Sequence, residues 1–298
     1  YGTTFIGIES KFAPDKGYEK RSGDAKETIE GLQQRGIACL GGFMCGFDFH
    51  DRINIEEDLS YYISLGLCSH QISQVTPFPG TPLYERLKEE GRVNEQFSWE
   101  DVNFYGGGFK HKNFEDHEIK SFILRAYQRY YEAWGPTLMR QLRVDLNGYE
   151  YAMSRLNAHP LWEQRALRHQ DACELLYPMI RACAHFAPNG IVRRKINQYE
   201  ERYRNNFGDP LPSQVIQSYY VLAKAFQGKA HDAVFPREGS PKEEPFKKFV
   251  YDKKGNGHNG PPYKVLYPRE SRSYEMYRDF RRTKEDAFGK VLGFIDNA

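Results

Sequence analysis

Asp48, His50 and Asp51 stand close together just after a compact apolar run, Ala38-Cys39-Leu40-Gly41-Gly42-Phe43-Met44. Carboxylate and imidazole are common metal ligands and common proton-transfer groups. Residues of these types in loops also cap helices and face solvent. Asp48 and His50 are therefore catalytic candidates on position alone, and no metal ligands are assigned. The five cysteines are Cys39, Cys45, Cys68, Cys173 and Cys183. Cys39 and Cys45 would lie roughly 20 Å apart along a strand. Cys173 and Cys183 would lie about 15 Å apart along a helix. All five read as small buried apolar residues or incidental thiols.

A second stretch carries a different chemistry. His70 to Thr76 alternates as a strand does, and Pro77-Phe78-Pro79-Gly80-Thr81-Pro82-Leu83-Tyr84 follows. Two prolines stop the strand and fix an extended exit. Gly80 permits a turn that other residues resist. Thr81 can cap the next helix, with Pro82 at its first position. Such a strand-to-helix corner leaves backbone groups open, and in parallel α/β folds ligands bind at corners of this kind.

The elements that must position these groups follow from the pattern. Thr4-Phe5-Ile6-Gly7-Ile8 is an apolar run ending in Glu9-Ser10, and the run at Ala38 ends in Cys45-Gly46-Phe47-Asp48. Apolar runs without alternation suit strands covered on both faces. Asp24 with Glu27, and Asn54 with Glu57, have the spacing of capping boxes ahead of amphipathic helices. Gly36 closes the first of these helices. Strand starts recur at roughly 32–34 residues, the length of a β–α repeat. Right-handed crossovers would then put all three strand ends on one face.

In order and spacing, Phe5-Ile6-Gly7-Ile8-Glu9-Ser10, Gly41-Gly42-Phe43-Met44-Cys45-Gly46-Phe47 and Thr76-Pro77-Phe78-Pro79-Gly80-Thr81-Pro82-Leu83-Tyr84 resemble the second half of a radical S-adenosylmethionine (SAM) core domain. The glycine-flanked Phe43-Met44 and the Pro-Gly-Thr-Pro corner are most similar to the cobalamin-binding branch, as are Lys88 to Val93 and Trp99 to Asp101. The resemblance implies that Glu9 contacts the SAM ribose and Ser10 helps hold the ligand. It implies that Gly42, Phe43, Met44 and Gly46 line the adenine, supported by Thr76, Pro77 and Phe78. The chemistry agrees: a ribose diol suits a carboxylate acceptor, and a flat purine suits a glycine-backed slot.

The implied reaction is reductive cleavage of SAM by a 4Fe–4S cluster to give a 5′-deoxyadenosyl radical, with methyl transfer or rearrangement as outcomes. The implied partners are an unidentified small-molecule substrate and an electron donor such as a flavodoxin or ferredoxin. The family holds its cluster on Cys-x3-Cys-x2-Cys, which is absent here, as is an Asp-x-His-x2-Gly cobalamin signature. The cluster ligands, and a cobalamin domain, are therefore expected outside this chain. The chain opens at Tyr1 and enters a core strand within three residues, so it is expected to be the C-terminal part of a longer enzyme, inactive alone. The alternatives are a cluster-less SAM-binding or scaffold domain, and an ordinary barrel lyase using Asp48 and His50.

The expected fold is α/β: the C-terminal half of a partial parallel (β/α) barrel of the TIM type, then a mainly helical C-terminal domain. The expected boundaries are residues 1–115 for the barrel part, 116–228 for the helical domain, and 229–298 for a linker and a charged last helix. Asp116 to Trp134 has Ile119, Phe122, Ile123, Ala126, Tyr130 and Trp134 at helical spacing. Further helices are expected over 161–186, with a kink at Pro178, and over 190–206 and 213–227. Trp99 is expected to anchor on the barrel, and Gly106-Gly107-Gly108 to form a lid loop. The basic run Arg193-Arg194-Lys195 among tyrosines reads as a solvated helix face. A net charge of +2 over 298 residues gives no nucleic-acid footprint. No run approaches a membrane span, and few irregular cysteines fit a reducing cytoplasm.

Overall fold

The computed structural model describes residues 2–12, 24–94, 108–234, 252–253 and 263–264. The expectations for Trp99, for Gly106-Gly107 and for the last charged helix lie outside the described residues. The chain divides into two compact units, residues 1–226 and 227–298.

Three strands, β1 (Thr3–Glu9), β2 (Ala38–Cys45) and β3 (Ser69–Gln74), pair in parallel in the order β1-β2-β3. Helices α1 (Ala25–Gln34) and α2 (Asn54–Ser64) make the crossovers, and α3 (Pro82–Glu89) follows β3. Asp24 caps α1 by accepting from the amides of Lys26 and Glu27, and Thr81 caps α3 by accepting from Tyr84. The cap of α2 differs from the expectation. Asp51 Oδ1 accepts from the Ile53 and Asn54 amides, and Asn54 Oδ1 accepts from the Asp51 amide. Asp51 is thus the capping group, and Asn54 already lies in the first turn.

Strand β2 shows why its apolar run is continuous. Cys39, Phe43 and Cys45 pack into a core with Ile29 of α1, Ile55, Leu59 and Tyr62 of α2, and Ile119, Phe122, Ile123, Ala126 and Tyr130 of α4 (Asp116–Trp134). Leu40, Gly42 and Met44 point to the other face and are partly exposed. Helix α4 lies along β3, where the Tyr127 hydroxyl accepts from the Ile72 amide at 3.1 Å. Two further bonds hold α4 to the end of α2 and the loop after it: Trp134 Nε1 donates to Ile63 O, and Tyr130 Oη to Leu67 O.

A second core joins α5 (Thr137–Met153), α6 (Leu161–Leu176), α7 (Ile180–His185) and α8 (Gly190–Phe207) through Met139, Leu142, Leu146, Cys173, Ile180, Val192 and Ile196. The break at Pro178 is a short 3₁₀ turn, Tyr177–Met179. Arg193 and Arg194 are exposed, whereas Lys195 lies over the Trp134 ring and Tyr203 is core. Helix α9 spans Pro212–Val234. In the second unit, β4 (Asp252–Lys253) pairs antiparallel with β5 (Tyr263–Lys264).

One junction makes the fold sensitive to acid. His70 of β3 stacks on Tyr130, and its Nδ1 accepts from Arg140 at 3.2 Å. Burial, and secondarily the nearby Arg140 charge, lower its pKa from 6.5 to about 4. The unfolded chain takes up this proton near pH 6.5, and the folded chain resists it until about pH 4. Stability is therefore full above pH 6.5 and falls as pH drops towards 4, by up to ~3 kcal/mol. Urea midpoints should decline across that window, and His70→Gln should flatten the decline. An unchanged slope in His70→Gln would assign the acid sensitivity to other groups.

Candidate functional site

The pairing register brings the three strand ends together. Glu9 sits opposite Phe43, Cys45 opposite Gln74, and the Val75 amide donates to Cys45 O at 2.8 Å. Glu9, the Gly42–Gly46 stretch and Thr76 thus emerge at one end of one sheet. Ile8 is an extra residue between Gly7, paired to Gly42, and Glu9, paired to Phe43. Such a bulge re-aims the side chain that follows it. Glu9 also has φ +55, the only described non-glycine residue with positive φ. That conformation costs roughly 1–2 kcal/mol for an L-residue and persists where surrounding bonds hold it.

Ser10 is buried, and its Oγ accepts from the Phe12 amide at 3.1 Å. Gly42 lies beneath the Phe5 ring; a Cβ there would come within 2.7 Å of Phe5 Cζ. Phe5 itself is 60% exposed. Phe43 points away from this face, fully buried with its ring 4.9 Å from that of Tyr62, so only its backbone can reach a ligand over Gly42. Met44 is on the Gly42 face and packs towards Phe47, Val75 and Leu87. Gly46 turns the chain with φ +80. Thr76 and Pro77 are buried, with Thr76 Oγ1 donating to Gln74 O at 3.3 Å. Phe78 is partly exposed, and its carbonyl accepts from the amide and hydroxyl of Thr81.

The proton-transfer candidates are held in bonds. Asp48 makes a two-pronged pair with Arg92, at 2.6 and 2.8 Å, with Lys112 and Arg86 nearby. The Arg92 hydrogen bonds hold its carboxyl below the usual carboxylate range. His50 is fully buried: Nδ1 accepts from the Gly46 amide at 3.1 Å, which leaves Nε2 as donor to Asp58 Oδ2 at 3.2 Å. Asp58 Oδ1 accepts from the Lys11 amide at 2.7 Å.

Sequence reasoning missed Asp58, Arg92 and Gln74. Asp58 shares the buried stripe of α2 with Ile55, Leu59 and Tyr62, and an acid on an apolar stripe is a readable signal. The Arg92 pairing spans 44 residues and has no local signature. Gln74 is buried at the end of β3, and its Oε1 has no hydrogen-bond partner.

None of the five thiols is positioned as a metal ligand. Burial pushes Cys39, Cys68 and Cys183 up to about 11, and Cys45 and Cys173 higher. Among the described residues no three His, Cys, Asp or Glu side chains gather to hold a metal ion. Among them also, no helix is long and apolar enough to cross a membrane.

No family model matches the chain. Over 116 residues, 39% of the chain, it is 25% identical to the bacteriochlorophyllide d C-12(1)-methyltransferase of Chlorobaculum tepidum. The aligned stretch covers 24% of that protein, so the chain spans about a quarter of the relative it matches.

Proposed function

We propose that this chain is the C-terminal portion of a radical SAM enzyme of the cobalamin-binding branch, and that its three strand ends form the nucleoside cradle. The observation that carries this reading is the shared exit of Glu9, Gly42–Gly46 and Thr76 from one end of a parallel sheet. Two facts support it further. A distant relative is a methyltransferase. The sheet also has a partly exposed second face, on which Phe5, Leu40 and Met44 lie beside Ser69 and Gln71, and parallel strands seldom leave a face uncovered unless further strands close a barrel over it.

The residues present fit a SAM nucleoside. Glu9, re-aimed by the bulge, presents a carboxylate of the kind that suits a ribose diol. The backbone of Gly42 and Phe43, with Met44 beside it, offers a flat apolar wall once the Phe5 ring swings aside. Thr76 closes the wall from β3. These residues bind and orient; the bound ligand supplies the radical chemistry when reduced by a 4Fe–4S cluster. The described residues do not fit that cluster, because the five thiols are scattered, four of them are buried, and burial holds all five protonated. Its ligands, any cobalamin and the electron donor belong to the rest of the proposed enzyme. In this reading Asp48 and His50 shape the loops rather than transfer protons.

The test is calorimetric titration of the chain with S-adenosylhomocysteine. Binding is expected, and Glu9→Gln should weaken it about tenfold, the loss of one hydrogen bond to a charged group. Absence of binding, or equal binding by Glu9→Gln, would refute the cradle.

A further inference from the structure

We infer that the buried His50–Asp58 pair is a positioning device that holds Glu9 in its ligand-facing conformation. The inference rests on the reading of Glu9 as the ribose acceptor and adds the residues that act through it.

The carboxylate of Asp58 divides its two oxygens between two loops. Oδ1 takes the amide of Lys11, two residues beyond Glu9; Oδ2 takes His50 Nε2, whose Nδ1 holds the amide of Gly46. One continuous line of hydrogen bonds thus runs from the exit of β1, through α2, to the exit of β2. Both side chains are buried, at 0% and 1% exposure, so water does not compete for these bonds. The Lys11 ammonium reinforces the same link by pairing with Glu57, one residue before Asp58. On the far side, His50 O accepts from Asn113 Nδ2 at 2.8 Å, and His111 Nε2 bonds to Phe47 O at 2.8 Å. The β2 loop is therefore fixed, and β1's exit is tied to it.

The strain at Glu9 gives this strut its purpose. A left-handed, non-glycine residue relaxes unless neighbouring bonds over-determine it. Two such bonds lie beside it, the Lys11 amide to Asp58 and the Phe12 amide to the Ser10 hydroxyl. Loosening the first lets Glu9 return to extended backbone and swing its carboxylate from the diol. Asp58 and His50 are positioning residues, since neither is placed against the ligand.

The test is a double-mutant cycle read with two ligands, S-adenosylhomocysteine and its 2′,3′-dideoxy analogue, titrated into the full chain. The wild type should prefer the hydroxylated ligand about tenfold, as expected for one charged hydrogen bond. Glu9→Gln should remove most of that preference. Asp58→Asn should cut the preference at least threefold, leave the dideoxy ligand's affinity unchanged, and add nothing in the Glu9→Gln background. Lys11→Pro deletes the Lys11 amide that the carboxylate holds and leaves the buried pair intact. It should act in the same way, and it carries the test if Asp58→Asn does not fold. Equal weakening of both ligands, or no change for either, would show a merely structural pair and overturn the inference. If the wild type binds neither ligand, or Glu9→Gln keeps the preference, the cradle itself fails and the strut with it.

Discussion

Gly36→Ala should cost about 4 kcal/mol of folding stability, at the upper end of single substitutions. Gly36 ends α1 with φ +78. A Cβ there would stand 2.5 Å from Gly148 Cα and 2.5 Å from His169 Nε2. The left-handed backbone alone disfavours alanine by roughly 1–2 kcal/mol. The larger share comes from the collision, because neither obstacle can move cheaply. Gly148 Cα is the backbone of α5. His169 is fastened by its Nδ1 to Asp145 Oδ1 at 2.9 Å, and Gln141 occupies the other carboxylate oxygen. Relief requires α5 and α6 to retreat from α1, which opens contacts between the sheet layer and the helical part. Urea unfolding with an unchanged m-value is the measurement. A loss below about 1 kcal/mol, the cost of the backbone conformation alone, would mean that these helices do not pack this closely.

The same junction shows what the chain's letters reveal and what they hide. The buried face of α4, from Ile119 to Tyr130, is readable because each residue repeats at helical spacing and meets one flat core. The caps at Asp24 and Thr81 are readable because the bonds are local. Helix α5 is legible only in part, because its interior carries a glycine. Gly148, a poor helix former, lies inside it because only a residue without Cβ lets His169 and the Gly36 turn approach. The choice of Asp51 over Asn54 as the cap of α2 is equally hidden. Both residues can cap, and the loop that ends in buried His50 decides which one sits at the turn.

At the site, the positions of Glu9, Gly46 and Thr76 at neighbouring strand ends follow from the β–α repeat. The direction of Phe43 does not, because an apolar run covered by helices carries no alternation to mark its faces. The strut through Asp58 is tertiary, joining residues 47 apart in the chain. Local pattern cannot encode such a bond; it can only flag the acid on the wrong side of α2.

Arg140→Met should cost about 3–4 kcal/mol, because the methionine fills the volume and satisfies none of the bonds. Arg140 is 2% exposed, and its guanidinium is well supplied with neutral acceptors. Nε donates to Cys68 O at 2.8 Å, one terminal nitrogen to Gly135 O at 2.7 Å, and the other to Thr137 Oγ1 at 2.7 Å and to His70 Nδ1 at 3.2 Å. The charge also lies over the Tyr130 ring, 5.0 Å from its centroid. The side chain thus binds the start of β3, the end of α4 and the start of α5 at one point, and so sets how the helical part meets the sheet. Arg140→Lys should recover less than half of the loss, because an ammonium cannot reproduce the planar fork that reaches β3 and Gly135 together. Arg140→Met also removes the positive charge beside His70. The acid decline assigned to His70 should then still start near pH 6.5 but be smaller and end at higher pH, since burial alone is left to lower its pKa. Denaturant unfolding of the two variants at pH 7.5 and pH 5 measures both effects. Full rescue by lysine would reduce Arg140 to a point charge, and an unmoved acid transition would detach His70 from it.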